Sequence, residues 1–268
     1  METVAVTGGN GQIGSAVLSE LAERGYRTAN LSRGSRREEV ADEYLRTDLL
    51  DPGEVYGSLA RADPVAVAHF GTIPRPDESP GHVTFRSNAA TPYHLLEAAE
   101  ALDIEAVVLA SSLSAMGAGF EDAVDVRYLP VDEEYPLTPS NPYGLGKQVG
   151  EVVADGFGRR SEPPTTIASL RFPLVASEEE LRTVFAEPDR TLPGIRDAGF
   201  FEKARKTLFA YLHERDAAAL VVRALEATFE GHETFFATAP DTTADAPSSD
   251  GKAEELLGWS AERSWRDL

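Results

Sequence analysis

"VTGGNGQIG", residues 6–14, closes a short apolar run, "TVAVTG" (3–8), and opens onto "QIGSAVLSELAERG" (12–25), where Ile13, Val17, Leu18 and Leu21 recur at helical spacing. This reads as a strand, a tight turn and a helix. Gly8, Gly11 and Gly14 stand three residues apart across the turn. Residues without a Cβ let the backbone reverse sharply, let a pyrophosphate come close to the main chain, and let the helix pack tightly on its strand. The helix start then offers unpaired N–H groups and the positive end of its dipole to the phosphates. A glycine triplet in strand–turn–helix context predicts a dinucleotide-binding turn.

Outward from this turn the alternation continues. Strands are expected at 27–31, near 44–47, at "VAVAHF" (65–70), "EAVVLASS" (105–112) and "TTIASLRF" (165–172). Helices are expected from Pro52 to Arg61, inside 82–102 and after Pro142. Apolar strands alternating with amphipathic helices predict an α/β fold, a Rossmann-type doubly wound parallel sheet covered on both faces, with ligands beyond the carboxyl ends of the strands. From residue 173 the pattern loosens into helices at 177–185 and 214–231, a late strand at 233–239 and a loop-like stretch at 240–251. The expected organisation is a dinucleotide-binding Rossmann domain at 1–172 and a small C-terminal substrate lobe at 173–268, interleaved with the sheet rather than independent.

Composition narrows the function classes. A chain of 268 residues with 42% apolar content can fill a substantial core. Its net charge of −20 opposes binding to nucleic acid or anionic membranes, which need a positive field. No apolar run nears the roughly 20 residues that span a bilayer and no leader is evident, so a soluble, cytoplasmic protein is expected. Zero cysteines exclude a thiol nucleophile and a thiolate metal site. The basic residues are 4 Lys against 21 Arg, and such acid excess with few lysines resembles cytoplasmic proteins of salt-loving archaea.

The end of the second strand bears on the cofactor, since a carboxylate there bonds a ribose 2′-hydroxyl whereas arginine accepts a 2′-phosphate. Ser32 and Arg33 stand at that place, followed by Arg36 and Arg37, which favours NADP over NAD; the other reading is a solvated loop whose arginines balance Glu38 and Glu39. Asp48 ends the third strand, either as an adenine contact or as a turn or capping residue.

"NPYGLGKQVGE" (141–151) carries Tyr143 and Lys147 one helical turn apart, after an N-cap at Ser140 or Asn141 and Pro142 at the first helical position. An ammonium beside a phenol favours the phenolate, so the pair predicts a tyrosine of lowered pKa that exchanges protons with a substrate hydroxyl or carbonyl. Gly144 and Gly146, each costing the helix up to about 1 kcal/mol relative to alanine, predict close packing there. The strand "VVLASSLSAMG" (107–117) ends in Ser111, Ser112 and Ser114, any of which could bond the oxygen that Tyr143 serves; taken singly, such serines usually bond backbone.

With these residues assembled, the chain resembles the extended short-chain dehydrogenase/reductases of the NAD-dependent epimerase/dehydratase family. The resemblance rests on T-G-x-x-G-x-x-G at 7–14, Asp48-Leu49, "HFG" (69–71), "SNAATPYHLLEAA" (87–99), "ASSLSAMG" (110–117), Y-x-x-x-K at 143–147, "LRFP" (170–173) and "YLHERDAA" (211–218). It implies Ser112 as the catalytic serine, Tyr143 as the acid/base and Lys147 as the residue that lowers the tyrosine pKa and holds the nicotinamide ribose. It also places Gly8, Gly11, Gln12, Ile13 and Gly14 at the pyrophosphate, Asp48 and Leu49 at adenine, Phe70 and Gly71 beside the cofactor, Pro173 near the carboxamide and Asn88 near the active site. A homodimer through the helices around 82–102 and 142–158 is implied as well.

Departures limit the substrate. Met116 stands where nucleotide-sugar epimerases commonly carry tyrosine, and Leu113 and Ser114 replace the Asp-Glu pair of the 4,6-dehydratases, so that elimination is not expected. The C-terminal part is shorter than in nucleotide-sugar members. The uronate dehydrogenases are similar in length and strand end, and their carboxylate-binding arginine falls near Arg182; the other reading of Arg182 is an exposed helical residue paired with Glu178 or Glu179. Arg75 and Ser114 are further candidate substrate contacts. His213 and Asp216 are expected to support the lobe, with no metal site. The expected function is hydride transfer with NADP or NAD at a hydroxyl carbon of a sugar, sugar acid or sugar nucleotide. The alternative is a non-catalytic NAD(P)-binding sensor on the same fold.

Overall fold

The computed structural model describes residues 1–34, 41–121, 127–128, 131–160, 166–182, 210–240 and 251–267. The alternation runs β1 (Thr3–Thr7), α1 (Gln12–Glu23), β2 (Arg27–Ser32), β3 (Glu43–Arg46), α2 (Pro52–Ala62), β4 (Ala66–His69), α3 (Gly81–Ala101), β5 (Ala106–Ser112), α4 (Pro142–Gly158) and β6 (Thr166–Phe172). It continues through β7 (Leu174–Ala176), α5 (Glu178–Leu181), β8 (Tyr211–His213), α6 (Glu214–Glu226), β9 (His232–Phe236) and α7 (Gly251–Leu257).

Among the described residues one sheet takes the order β3-β2-β1-β4-β5-β6-β9, with every neighbouring pair parallel. The order reverses between β1 and β4, and a crevice opens beyond the carboxyl ends at such a switch point. Thr7 pairs with both Leu31 and His69, and His69 with Leu109, so four strands reach the crevice level with one another. β5 and β6 run on to the Ser112–Phe172 pair, which carries Ser112 past that edge.

Alternate strand residues serve opposite faces. Val4 and Val6 pack with Val17, Leu18 and Leu21 of α1 and with Leu220 and Val221 of α6. Ala5, Val67 and Val107 pack on the other side with Leu59 of α2 and Leu95 and Leu96 of α3. Side chains start α2 and α4: Asp51 accepts the N–H groups of Gly53 and Glu54, and Asn141 those of Tyr143 and Gly144, with proline next in each case.

The second half departs from the sequence expectation in places. α6 stops at Glu226 instead of 231, because Ala227 turns extended and Phe229 packs into the core, its ring 5.9 Å from that of Phe235. β9 joins β6 in the main sheet and ends at Phe236, while β7 and β8 form a separate short parallel pair. Within 177–185 the described helix is Glu178–Leu181, started by a Ser177–Glu180 capping box. Arg36, Arg37, residues 183–185 and most of the stretch 240–251 lie outside the described residues. No described helix is long and apolar enough to cross a membrane.

Candidate active site

The glycine turn stands at the switch point. Gly8 has φ 70°, and its N–H donates to the Leu31 carbonyl at 2.9 Å, tying the turn to the end of β2. A Cβ on Gly14 would lie 2.4 Å from the Gly8 oxygen, one on Gly8 2.7 Å from the Gly71 nitrogen, and one on Gly71 2.2 Å from Leu49 Cδ1. Gly8, Gly71 and Leu49 therefore stack in direct contact. No side chain caps α1, unlike α2 and α4. A bare backbone at an uncapped, positive helix end fits a diphosphate. Ile13 packs on the core. The Gln12 amide donates to Glu180 Oε2 at 3.0 Å and Glu214 Oε2 at 3.3 Å, so the C-terminal part reaches over the turn.

Beyond β2 the Ser32 hydroxyl is buried and donates to Asn30 Oδ1 at 2.8 Å, and Tyr44 donates to the Ser32 carbonyl at 3.1 Å. Arg33 is exposed. Asp48 is exposed as well, and its Oδ1 accepts the Leu50 N–H at 3.1 Å.

Across the crevice, Asn141 and Pro142 start α4 so that Tyr143 and Lys147 share one face. Both are buried. The Ser112 hydroxyl stands near the Tyr143 phenol and favours its ionised form, and its oxygen accepts the Ser114 N–H at 3.1 Å. Lys147 Nζ donates to the Ala110 carbonyl at 2.6 Å and to Thr72 Oγ1 at 3.3 Å, and lies 5.5 Å from the Tyr143 ring centroid. Thr72 follows Gly71, so the lysine touches the same loop as the glycine turn. The packing expected at Gly144 and Gly146 has named partners: a Cβ would lie 2.4 Å from the Ser114 oxygen and 2.5 Å from Asn88 Cβ, respectively.

The electrostatics correct one expectation. Burial pushes the Tyr143 phenol up to about 12, and the nearby Ser112 hydroxyl opposes this only in part. Burial likewise pushes Lys147 down to about 8, against the pull of Glu151. The expected lowering of the tyrosine by the lysine is therefore not found, because desolvation disfavours the charged form of both groups. Beneath them, Glu151 and Arg171 form a buried bidentate pair at 3.0 and 2.9 Å, and Ser111 donates to Glu151 Oε1. His69, bonded to Thr7 and Thr91 at 2.7 and 3.0 Å, is pushed down to about 3 by burial and then by the Lys147 charge.

The remaining candidates divide. The Phe70 ring lies 6.4 Å from that of Phe172, next to Pro173. Asn88 donates to the carbonyls of Ile73 and Thr84 at 2.9 and 3.0 Å, while its buried Oδ1 has no partner. The Arg75 guanidinium pairs with Asp77 at 3.2 Å and lies 6.0 Å from the Phe120 ring centroid; that ring stands edge-on to Tyr143 at 5.5 Å. Arg182 does not join them: it pairs with Glu178 at 2.8 Å, with both side chains more than half exposed, as a surface helical pair does. Ser114 is 1% exposed and packed beneath Gly144, which suits a structural position better than a substrate contact. Met116 is buried with Leu113, Tyr135 and Phe236. His213 caps α6 and Asp216 accepts from Glu262 and Arg263 main chain; no group of three potential metal ligands occurs among the described residues. Sequence reasoning missed Thr72, Phe120, Glu121 and the Glu151–Arg171 pair. Glu151 alone had a signal, one further turn along the Tyr143–Lys147 face.

A parallel sheet of this order, with the glycine turn at its reversal and the serine-ended strand beside α4, defines a Rossmann-type doubly wound fold. A model of the NAD dependent epimerase/dehydratase family matches residues 4–235, and the chain belongs to that family. The chain is similar to a UDP-glucose 4-epimerase of Rhizobium leguminosarum bv. trifolii, 34% identical over 155 residues that cover 56% of this chain and 45% of that protein. It is also similar to a UDP-glucose 4-epimerase of Rhizobium meliloti (strain 1021), 27% identical over 256 residues, 86% of this chain and 74% of that one. Among solved structures, a short-chain dehydrogenase/reductase superfamily protein from Agrobacterium tumefaciens with bound NAD aligns with TM-score 0.77 at 22% identity, covering 99% of this chain and 94% of that one. UDP-glucose 4-epimerase from Thermotoga maritima with UDP-glucose aligns with TM-score 0.74 at 18% identity, covering 98% and 94%. At these identities the structural likeness speaks to the fold.

Proposed function

We propose that the chain is an NAD-dependent oxidoreductase or epimerase that moves a hydride at a hydroxyl-bearing carbon of a sugar, sugar acid or sugar nucleotide, with Ser112, Tyr143 and Lys147 as its catalytic residues. The observation that carries this reading is the buried Tyr143–Lys147 face set beside the end of the Ser112 strand, with Lys147 bonded to the Ala110 carbonyl and joined to the glycine turn through Thr72 and Gly71. Gly8, Gly11, Gln12, Ile13 and Gly14 would hold the pyrophosphate, Asp48 and Leu49 the adenine, and Phe70, Gly71, Asn88, Lys147 and Pro173 would surround the nicotinamide half. When bound, NAD supplies the hydride acceptor or donor and, in its oxidised form, a positive ring.

Tyr143 holds its proton firmly, which suits a donor to a substrate carbonyl; taking a proton from a hydroxyl calls for added positive charge near the phenol. Lys147, ionised below about 8, is the protein's own contribution to that charge. Ser112 fixes the oxygen that both directions share. Arg75, beside Phe120 at the mouth, is the proposed contact for an anionic substrate group.

NAD is preferred here to NADP because the similar structures described with a nicotinamide cofactor carry NAD. Arg33 then remains an exposed residue of the loop, and a clear preference for NADPH in measured affinities would reverse this assignment. A homodimer is supported by α3 and α4, which pack on each other and expose Phe85, Tyr93, Leu145 and Val152. The test of the function is nicotinamide turnover on a panel of sugars, uronic acids and sugar nucleotides. Tight cofactor binding without hydride transfer to any of them would support a sensor.

A further inference from the structure

We propose that Glu121 is a positioning residue that holds the start of α4, and with it the Tyr143 phenol, against the loop leaving the Ser112 strand; this rests on the catalytic reading of Tyr143. Glu121 Oε1 accepts the N–H of Ser140 at 2.8 Å, the N–H of Asn141 at 3.0 Å and the Asn141 side-chain amide at 2.8 Å, while Oε2 accepts the Ser140 hydroxyl. The Asn141 Oδ1 at the other end of that amide accepts the N–H groups of Tyr143 and Gly144 at 3.0 and 2.9 Å. One carboxylate therefore orients the cap that starts the helix, and the first backbone group fixed by that cap belongs to the tyrosine itself.

The segment between Ser112 and Glu121 folds back so that both of its ends meet Tyr143. Ser112 caps a short 3-10 turn (Leu113–Met116), Gly117 and Gly119 take φ 81° and 83°, and the Ala118 and Phe120 N–H groups close the loop onto Leu113 and Ala118. Ser112 stands near the phenol, Phe120 stands edge-on to the ring at 5.5 Å, and Glu121 grips the helix start. Hydrogen bonds to a charged acceptor are shorter and stronger than neutral ones, and a negative charge also suits a helix N-terminus. Burial raises the Glu121 pKa, but the bonds from Ser140 and Asn141 together outweigh it and hold the carboxyl below its usual range. The clamp therefore stays ionised at neutral pH and adds no titration of its own to the activity there.

The test compares wild type, Glu121→Ala and Glu121→Gln. Glutamine keeps an acceptor for the three N–H donors and loses the charge, whereas alanine removes both. Glu121→Ala is expected to lower kcat by about tenfold or more, as misplacement of a reacting group does, with the Kd for NADH held within about twofold. Glu121→Gln is expected to recover most of the loss with the pH profile unchanged in shape. A Glu121→Ala variant whose kcat stays at the wild-type level, or whose cofactor affinity falls in proportion to kcat, overturns the assignment. A second measurement needs no substrate: amide hydrogen exchange at Tyr143 and Gly144 is expected to speed up in Glu121→Ala, and unchanged exchange overturns the clamp. Absence of hydride transfer by the wild-type protein would count against the catalytic reading alone, since the exchange measurement still decides the role of Glu121.

Discussion

Replacing Glu151 by alanine isolates the support beneath the site. The Glu151–Arg171 pair is bidentate, at 3.0 and 2.9 Å, with side chains 6% and 5% exposed, and it links α4 to β6 directly under the Tyr143–Lys147 face. Glu151→Ala leaves Arg171 with its bond to the Glu133 carbonyl at 2.7 Å and deprives Ser111 of its acceptor. Breaking one side of a buried pair costs about 3–5 kcal/mol because the other charge stays buried. Against a total stability of about 5–15 kcal/mol this is a large fraction. With a urea dependence of about 2–3 kcal/mol per molar, the unfolding midpoint should fall by roughly 1–2 M. The double variant Glu151→Leu/Arg171→Met strands no charge and should be the more stable of the two. Lys147 reports the same change from the active-site side, since Glu151 holds its pKa up against burial. In Glu151→Gln, Lys147 should therefore lose its proton at lower pH than about 8, read by the pH dependence of turnover. A Glu151→Ala midpoint within about 0.3 M of wild type, or a double variant no better than the single one, would refute this reasoning.

Acid should destabilise the protein through His69: the unfolded imidazole takes a proton near 6.5 and the native one only near 3, so between those values the unfolded state binds more protons and stability falls as pH falls. The gap is worth up to about 5 kcal/mol, and a urea midpoint that shows the same decline in His69→Gln would reject His69 as its source. Neutralising the two carboxylates on Gln12, as Glu180→Gln/Glu214→Gln, should tighten NADH roughly 3- to 30-fold at low salt, because an anion at the start of α1 no longer shares that helix end with them. Weaker binding by titration calorimetry would instead make their bonds to Gln12 a support of the cofactor turn. Gly146→Ala should lower stability by about 1–3 kcal/mol, since its Cβ would sit 2.5 Å from Asn88 Cβ, and an unchanged thermal midpoint would show that α3 and α4 can move apart freely.

Much of the first half was legible because its physics is local. The β1–α1 turn carries its glycines where a Cβ collides, and Asn141-Pro142 announces the start of α4. The Tyr143–Lys147 spacing alone sets the pair on one helix face. What sequence could not carry was burial. It is burial that raises the phenol and lowers the ammonium, outweighing the expected effect of one on the other. Phe229 ended α6 early by packing on Phe235, a contact between residues with no periodic signature. The strands β7 and β8 are three residues each, too short to show an alternation. Of the arginines singled out for substrate, Arg182 met Glu178 on its own helical turn, the pairing that its spacing also offered, while Arg75 came to lie beside the tyrosine through Phe120, which no spacing announces. Glu121, twenty residues before the cap it bonds, gave no sign at all.

The central claim is that Tyr143 exchanges the proton that accompanies hydride transfer at a carbon held beside Ser112. Its most direct test follows nicotinamide absorbance in single-turnover experiments with wild type and Tyr143→Phe over the sugar, uronic acid and sugar-nucleotide panel, with NADH affinity measured in parallel. The account predicts hydride transfer by the wild type and its loss, by about 100-fold or more, in Tyr143→Phe with NADH affinity nearly intact. Full activity in Tyr143→Phe would contradict it.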